Sequence, residues 1–214
     1  MMDILDKFTD VNGLIKPRSA WVDSGNGVLY TAVWLILYKL ARVPIYSTGK
    51  FEACIFACLK GGLLLRSPSN TYQEQWDNHL GLAAYAHFYK RPEIARKVLE
   101  HAYENDGFFD TDGVKEAKDN LLRFPQIWAI YLIAGFPKLK WLFFPFAWVV
   151  SRFMNPPLDD SSGTQLAWLY LYTMNDAFGF GFEKKHAEVL AQFKQNVSVY
   201  YEETHPIISM IESL

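Results

Sequence analysis

Hydrophobic residues along this chain recur with the spacing of helices, and no stretch longer than a few residues alternates as a strand would. The pattern predicts helices at about 26–42, 48–61, 77–90, 92–105, 125–135, 138–153, 163–177 and 183–203, with a short helix at 2–9. Proline- and glycine-rich turns such as "RVP", "RP" and "GFP" separate them. Short connections place consecutive helices antiparallel, so we expect one all-α domain, 1–214, built of αα-hairpins at about 26–61, 77–105, 125–153 and 163–203.

The predicted helices are of two kinds. The first helix of each hairpin is apolar almost all round, as in "GVLYTAVWLILY" and "IWAIYLIA", which is typical of a helix buried on every side. The second helix is mostly amphipathic, with an apolar stripe between charged residues. This alternation indicates an inner ring of helices wrapped by an outer ring. The 138–153 helix is too apolar for an outer position, which marks it as an interface or counts against the arrangement.

In this alternation the chain resembles the α/α-toroid class of glycoside hydrolases and polysaccharide lyases, over roughly residues 20 to 203. The segment "DNHLGLAAYAHFYKRPEIARKVLEHAYENDGFFDTDG" is similar to one toroid hairpin with its return loop. Four hairpins are fewer than a complete toroid has, so the resemblance implies an open or incomplete toroid. It also implies a carbohydrate ligand.

Chemistry-bearing residues concentrate in the segments that would lie where the inner helices begin. Asp77 and Asp23 begin successive inner helices, whose axes lie about 8–10 Å apart. Glycoside hydrolysis needs two carboxyl groups roughly 5–9.5 Å apart. If the chain is a hydrolase, rather than a lectin-like relative that kept the cleft and lost the chemistry, these two are the expected catalytic pair, with Asp77 as general acid or base. The substrate contacts would be the aromatic and polar residues of the same rim: Trp21, Asn26, Trp76, Asn78, His79, Arg123 and Asp160.

The geometry of this hypothesis is specific. Asp23, Asp77, Arg123 and Asp160 should surround one concavity, and the turns at Pro44, Pro92 and Pro137 should lie at the far end. The alternative is that Asp77, Asn78 or Asn26 simply caps the helix that follows it. Capping needs one short polar residue per helix, whereas "QWDNH" offers three beside a tryptophan.

Composition and charge exclude several classes of function. The formal net charge of −2 and pI near 6.2 argue against a nucleic-acid partner. No phosphate-binding glycine loop, nucleophile elbow or zinc motif is present, so we expect neither a cofactor nor a metal. The acidic N-terminus does not resemble a signal peptide. Cys54 and Cys58, four residues apart on one predicted helix, indicate reduced thiols and synthesis in a cytoplasm.

The membrane alternative concerns two uncharged apolar segments, 124–137 and "WLFFPFAWVV" at 141–150. Neither reaches the roughly 20 residues of a spanning helix, and Pro145 interrupts the second. Membrane contact is therefore not expected, and shallow contact by 139–154 is the minority alternative. A second hypothesis is a non-enzymatic structural or interaction protein of a large assembly, such as a phage particle, with protein partners bound by the apolar 138–153 segment.

Overall fold

The computed structural model describes residues 6–20, 26–41, 49–65, 68, 76–105, 125–153, 161–179 and 183–213. Most of this part of the chain is helical, which confirms the all-α prediction. The helices are α1 (Gly27–Leu40), α2 (Gly49–Cys58), α3 (Trp76–Phe88), α4 (Pro92–Glu104), α5 (Pro125–Gly135), α6 (Lys140–Phe153), α7 (Ser161–Phe178), α8 (Glu183–Tyr200) and α9 (Pro206–Glu212), and a 3-10 turn, Pro137–Leu139, precedes α6.

The apolar helices α1, α3, α5 and α7 form the interior. Helix α1 buries every residue from Gly27 to Tyr38, since almost all of them are apolar. Helix α3 packs against α1, α5 and α7, so it is the central helix of this layer. Outside it, α4 packs mainly on α5 and α8 packs on α7. Helix α4 buries one stripe, Ile94 to Ala102 at helical spacing, as its amphipathic sequence predicts.

Helices α1 and α3 approach each other closely at Gly81. A Cβ atom at this position would lie 2.7 Å from the Cα atom of Leu29, a contact with backbone that could not yield. The missing side chain therefore lets the first turns of the two helices lie side by side.

A hairpin replaces the end of the predicted 48–61 helix. Helix α2 ends at Cys58, and two short antiparallel strands, β1 (Leu59–Lys60) and β2 (Leu63–Leu64), follow. Gly61 and Gly62 form the turn with φ values of 62° and 102°, a conformation that favours glycine. Cys58 is buried and Cys54 half-buried, and the two do not form a disulfide with each other.

The two ends of the described chain are joined. Among the described residues of the predicted 2–9 helix, Asp6 and Lys7 alone are helical, and Thr9 forms a bridge with Ile15 instead. Lys7 forms an ion pair with Glu202 at 2.6 Å, and the hydrogen bond from Lys7 holds the pKa of that carboxyl at about 2. The sequence pattern also missed α9, which begins just after the end of the predicted 183–203 helix.

Candidate functional site

Asn26, Asp77 and Asn78 lie where α1 and α3 begin, and their side chains form one hydrogen-bonded cluster. The Asn26 side-chain amide donates to the Asp77 carboxylate at 2.9 Å. The backbone N–H of Leu29 donates to the side-chain oxygen of Asn78, also at 2.9 Å. Leu29 is in the first turn of α1, where backbone N–H groups have no partner within the helix. Asn78 therefore caps the neighbouring helix rather than its own.

His79 follows this cluster in α3 and forms its hydrogen bond on the α5 side. Its Nδ1 atom shares a 3.1 Å hydrogen bond with the hydroxyl of Tyr131. Burial, and to a smaller extent nearby His101, lowers the pKa of His79 to about 3, so the imidazole is neutral at physiological pH. A neutral buried imidazole supports the contact between α3 and α5.

The cluster is closed to solvent on the described side. Asp77 is 6 % exposed, Asn78 0 % and His79 2 %. Sequence analysis predicted that these residues share one end of the molecule, and the Asn26–Asp77 hydrogen bond joins the starts of α1 and α3. What it did not predict is that the same residues would bond across the helix contact at Gly81.

The remaining predicted site residues cannot be compared with this cluster. Trp21, Asp23, Arg123, Asp160 and the side chain of Trp76 lie outside the described residues, as does the turn at Pro44. The Asp23–Asp77 catalytic pair and the concavity around it therefore stay predictions. Within the residues the structure describes, no group of His, Cys, Asp and Glu side chains is arranged to hold a metal ion.

A different feature dominates the described surface. Helix α6 and the residue before it expose large hydrophobic side chains, which we call the aromatic face: Leu139, Trp141, Leu142, Phe146, Trp148, Val149 and Phe153. Their exposed fractions run from 40 % for Phe146 to 76 % for Phe153. The residues that α6 buries are small or short by comparison, namely Ala147, Val150 and Ser151. We call this pattern inverted amphipathicity, because the helix buries small side chains and exposes most of its large apolar ones, although Phe143 and Phe144 are half-buried.

The charged residues of α6 and of the turn before it are all basic. Lys138 and Lys140 stand at its start and Arg152 near its end, and no acidic residue occurs from 137 to 153. Lys185 on α8 donates to the backbone oxygen of Ser151 at 3.0 Å. Burial and the nearby Arg152 lower the pKa of Lys185, an effect that Glu188 partly offsets. The aromatic face is therefore flanked by cations at both ends.

The lengths of the apolar helices decide whether any of them could cross a bilayer. No single helix in the described ranges is both long and apolar enough to cross a membrane. Helix α5 and the segment 137–153 satisfy the length and composition together, but they meet at an angle of 107°.

The chain matches no protein-family model, no curated protein and no solved structure.

Proposed function

We propose that this protein docks on an anionic lipid surface through the aromatic face of α6. The observation that carries the proposal is the inverted amphipathicity, since Trp141, Trp148 and Phe153 face solvent while Ala147 and Ser151 face the protein. Helices that lie in a membrane interface present tryptophan, phenylalanine and leucine to the acyl chains, and basic residues to the headgroups. Helix α6 has this composition without the length of a spanning helix.

The charges favour an anionic surface over a second copy of the chain. If two aromatic faces met in an antiparallel pair, Arg152 of one copy would lie near Lys138 and Lys140 of the other. In a parallel pair each cation would meet its own counterpart. Either arrangement places like charges together at both ends, which costs free energy. Anionic headgroups would instead be attracted by about 1 kcal/mol for each basic residue near the surface.

In this proposal, the interior helices are the rigid support that holds α6. An open toroid remains our interpretation of their arrangement, supported by the buried α1, α3, α5 and α7 and the amphipathic α4. A carbohydrate ligand and an acid–base pair of Asp23 and Asp77 also remain predictions. The 6 % exposure of Asp77 gives them no support from the described residues.

The test is cosedimentation with phosphatidylcholine vesicles that contain or lack phosphatidylserine. Binding should be tighter to the anionic vesicles and should weaken as salt is raised. The double variant Lys138→Gln/Arg152→Gln removes two basic residues and should weaken anionic binding by roughly 30-fold, at about 1 kcal/mol each. Lys60→Gln/Lys97→Gln makes the same change in charge at exposed positions on β1 and α4 and serves as the control.

Three results would contradict the proposal. Wild-type protein could fail to bind either vesicle, or both double variants could lose binding equally, which would indicate general electrostatic attraction. The protein could also form a dimer in sedimentation velocity that loses its stability when the aromatic face is changed. That last result would identify a second copy as the occupant.

A further inference from the structure

A cavity of about 850 Å³ lies at the end of the interior opposite the Asn26–Asp77 cluster. This volume falls within the range of small-molecule sites, roughly 300–1,000 Å³. Pro92 and Pro137 both line it, so two of the turns that sequence analysis placed at the far end do lie together.

The cavity forms where the four interior helices end. Lys39 belongs to the last turn of α1, His87 to that of α3, Ala134 to that of α5 and Ala177 to that of α7. The carbonyl groups of a last turn have no partner within their helix, and they attract cations. The Lys39 ammonium donates to the backbone oxygen of Phe88, and the Lys140 ammonium donates to that of Ala177. These two lysines are therefore held at the mouth by helix ends.

Capping does not use all the binding capacity of these lysines. An ammonium group carries three N–H donors, and each bond to a neutral carbonyl uses one donor and neutralises no charge. Lys90 adds a third ammonium, and it forms no ion pair with an acidic residue within the part of the chain the structure describes. Its backbone takes the left-handed conformation, φ 53°, as the turn after α3 closes through the bond from Arg91 N–H to Ala86 oxygen at 2.8 Å.

Among the described residues, Asp176 is the only carboxylate that lines the cavity, and it is already engaged. Its Oδ2 atom lies 2.7 Å from Nε2 of His87. The hydrogen bond from His87, together with the charges of Lys140 and Lys39, lowers the pKa of Asp176 despite its partial burial. Three lysines against one aspartate leave the described lining with two excess positive charges.

The rest of the lining is apolar or aromatic. Phe88 and Tyr172 stack with their ring centres 5.3 Å apart, and Ile133 and Ala134 add the aliphatic part of the wall. An inorganic ion would contact the lysines but would leave the apolar and aromatic wall of the cavity without a contact. A ligand that combines a compact anionic group with an apolar body would use both parts of the lining.

We propose that this cavity binds an organic phosphate monoester, with the phosphate on Lys39, Lys90 and Lys140 and the apolar body against Phe88 and Tyr172. A phosphate monoester carries about −1.5 to −2 charges at pH 7, which matches the excess of the lining. Lysine is a common phosphate ligand because its ammonium is a compact point charge. The phosphate could come from a soluble metabolite or from a lipid headgroup, and both present the same chemistry. The proposal does not depend on docking through the aromatic face, because Lys140 alone is common to the two sets of residues.

The test is calorimetric titration of the purified full chain with phenyl phosphate, inorganic phosphate and uncharged benzyl alcohol. We expect phenyl phosphate to bind more tightly than the other two, with an affinity that falls as salt rises. Lys39→Gln/Lys90→Gln should lose at least about tenfold in affinity, the equivalent of 1.4 kcal/mol. Lys60→Gln/Lys97→Gln is the control of equal charge and should bind as wild type does.

Several results would overturn the proposal: no binding of phenyl phosphate, equal binding of phenyl phosphate and benzyl alcohol, or equal loss in the two double variants. Lys39→Gln also removes the capping bond from Lys39 to Phe88. If that loss weakens the fold, the single variant Lys90→Gln is used for the test instead, because Lys90 is exposed. Titration with dihexanoyl phosphatidic acid below its micelle concentration distinguishes the two sources. If phosphatidic acid binds more tightly than phenyl phosphate and competes with it, the site is assigned to a lipid headgroup. Weaker binding assigns it to a soluble phosphate monoester.

Discussion

The most direct perturbation of the proposed membrane contact removes the two most exposed side chains of α6. Leu142 is 72 % exposed and Phe153 is 76 % exposed. Full burial of such a side chain is worth about 2 kcal/mol. With roughly three quarters of each side chain available to the lipid, the pair contributes about 3 kcal/mol to partitioning. Leu142→Ser/Phe153→Ser should therefore weaken vesicle binding by on the order of 100-fold.

The matched control replaces two exposed hydrophobic residues on other helices. Tyr103 on α4 is 86 % exposed and Val199 on α8 is 63 % exposed, so Tyr103→Ser/Val199→Ser removes a similar amount of apolar surface. Both double variants should unfold in urea within about 0.5 kcal/mol of wild type for each substitution, since none of the four side chains is buried. Vesicle binding by the control should be unchanged.

Two outcomes would refute the reasoning. If the α6 double variant binds anionic vesicles as wild type does, the aromatic face does not enter the lipid. If it loses binding and also much of its unfolding free energy, the side chains stabilise the fold and the exposure argument is wrong.

The buried cluster and the histidines give two further predictions. Asn78→Leu leaves the backbone N–H of Leu29 buried without its acceptor, so urea unfolding should show a loss of about 1–3 kcal/mol, and an unchanged unfolding free energy would contradict the capping role of Asn78. Burial lowers the pKa of His79 to about 3 and of His205 to about 4, both below the ordinary histidine value of 6.5. The unfolded state therefore binds these protons first as pH falls, and each histidine should reduce the unfolding free energy by up to about 1.4 kcal/mol per pH unit below pH 6.5. In His205→Asn, the unfolding free energy measured in urea should fall less between pH 7 and pH 5 than it does in wild type. An unchanged dependence on pH would contradict the role assigned to His205.

The helices were predictable because their side-chain patterns are strong. Helix α1 is apolar at nearly every position, and α4 shows one clear stripe, so burial follows from composition. The hairpin at 59–64 was missed because the apolar pattern of α2 continues through it, although Gly61 and Gly62 marked the turn. Helix α9 has seven residues, too few for a periodic signal.

The roles of the "WDNH" residues depended on tertiary structure. The sequence offered two alternatives for Asn78, a cap of its own helix or a contact with a ligand, and neither alternative included a partner on α1. That bond exists because Gly81 lets the two helices approach, and nothing in the sequence specifies which helix faces Gly81. The cavity was missed for a similar reason, since Lys39, Lys90 and Lys140 come from separate segments that meet only when the helix ends converge.

The outward orientation of α6 follows from how the chain leaves α5. Gly135 ends α5, and its backbone oxygen accepts a 2.8 Å hydrogen bond from Nε of Arg96 on α4. The guanidinium of Arg96 also lies 5.9 Å from the ring centre of Phe136, so one arginine holds both residues before the turn. Pro137 then begins a new helical segment at 107° to α5, which carries α6 across the flank of the interior helices rather than continuing along their axis. Helix α6 buries Ala147, Val150 and Ser151 and packs Phe144 partly against the core, and most of its other large side chains lie at the surface. The aromatic face is thus fixed by packing, and docking through it needs no rearrangement of the fold.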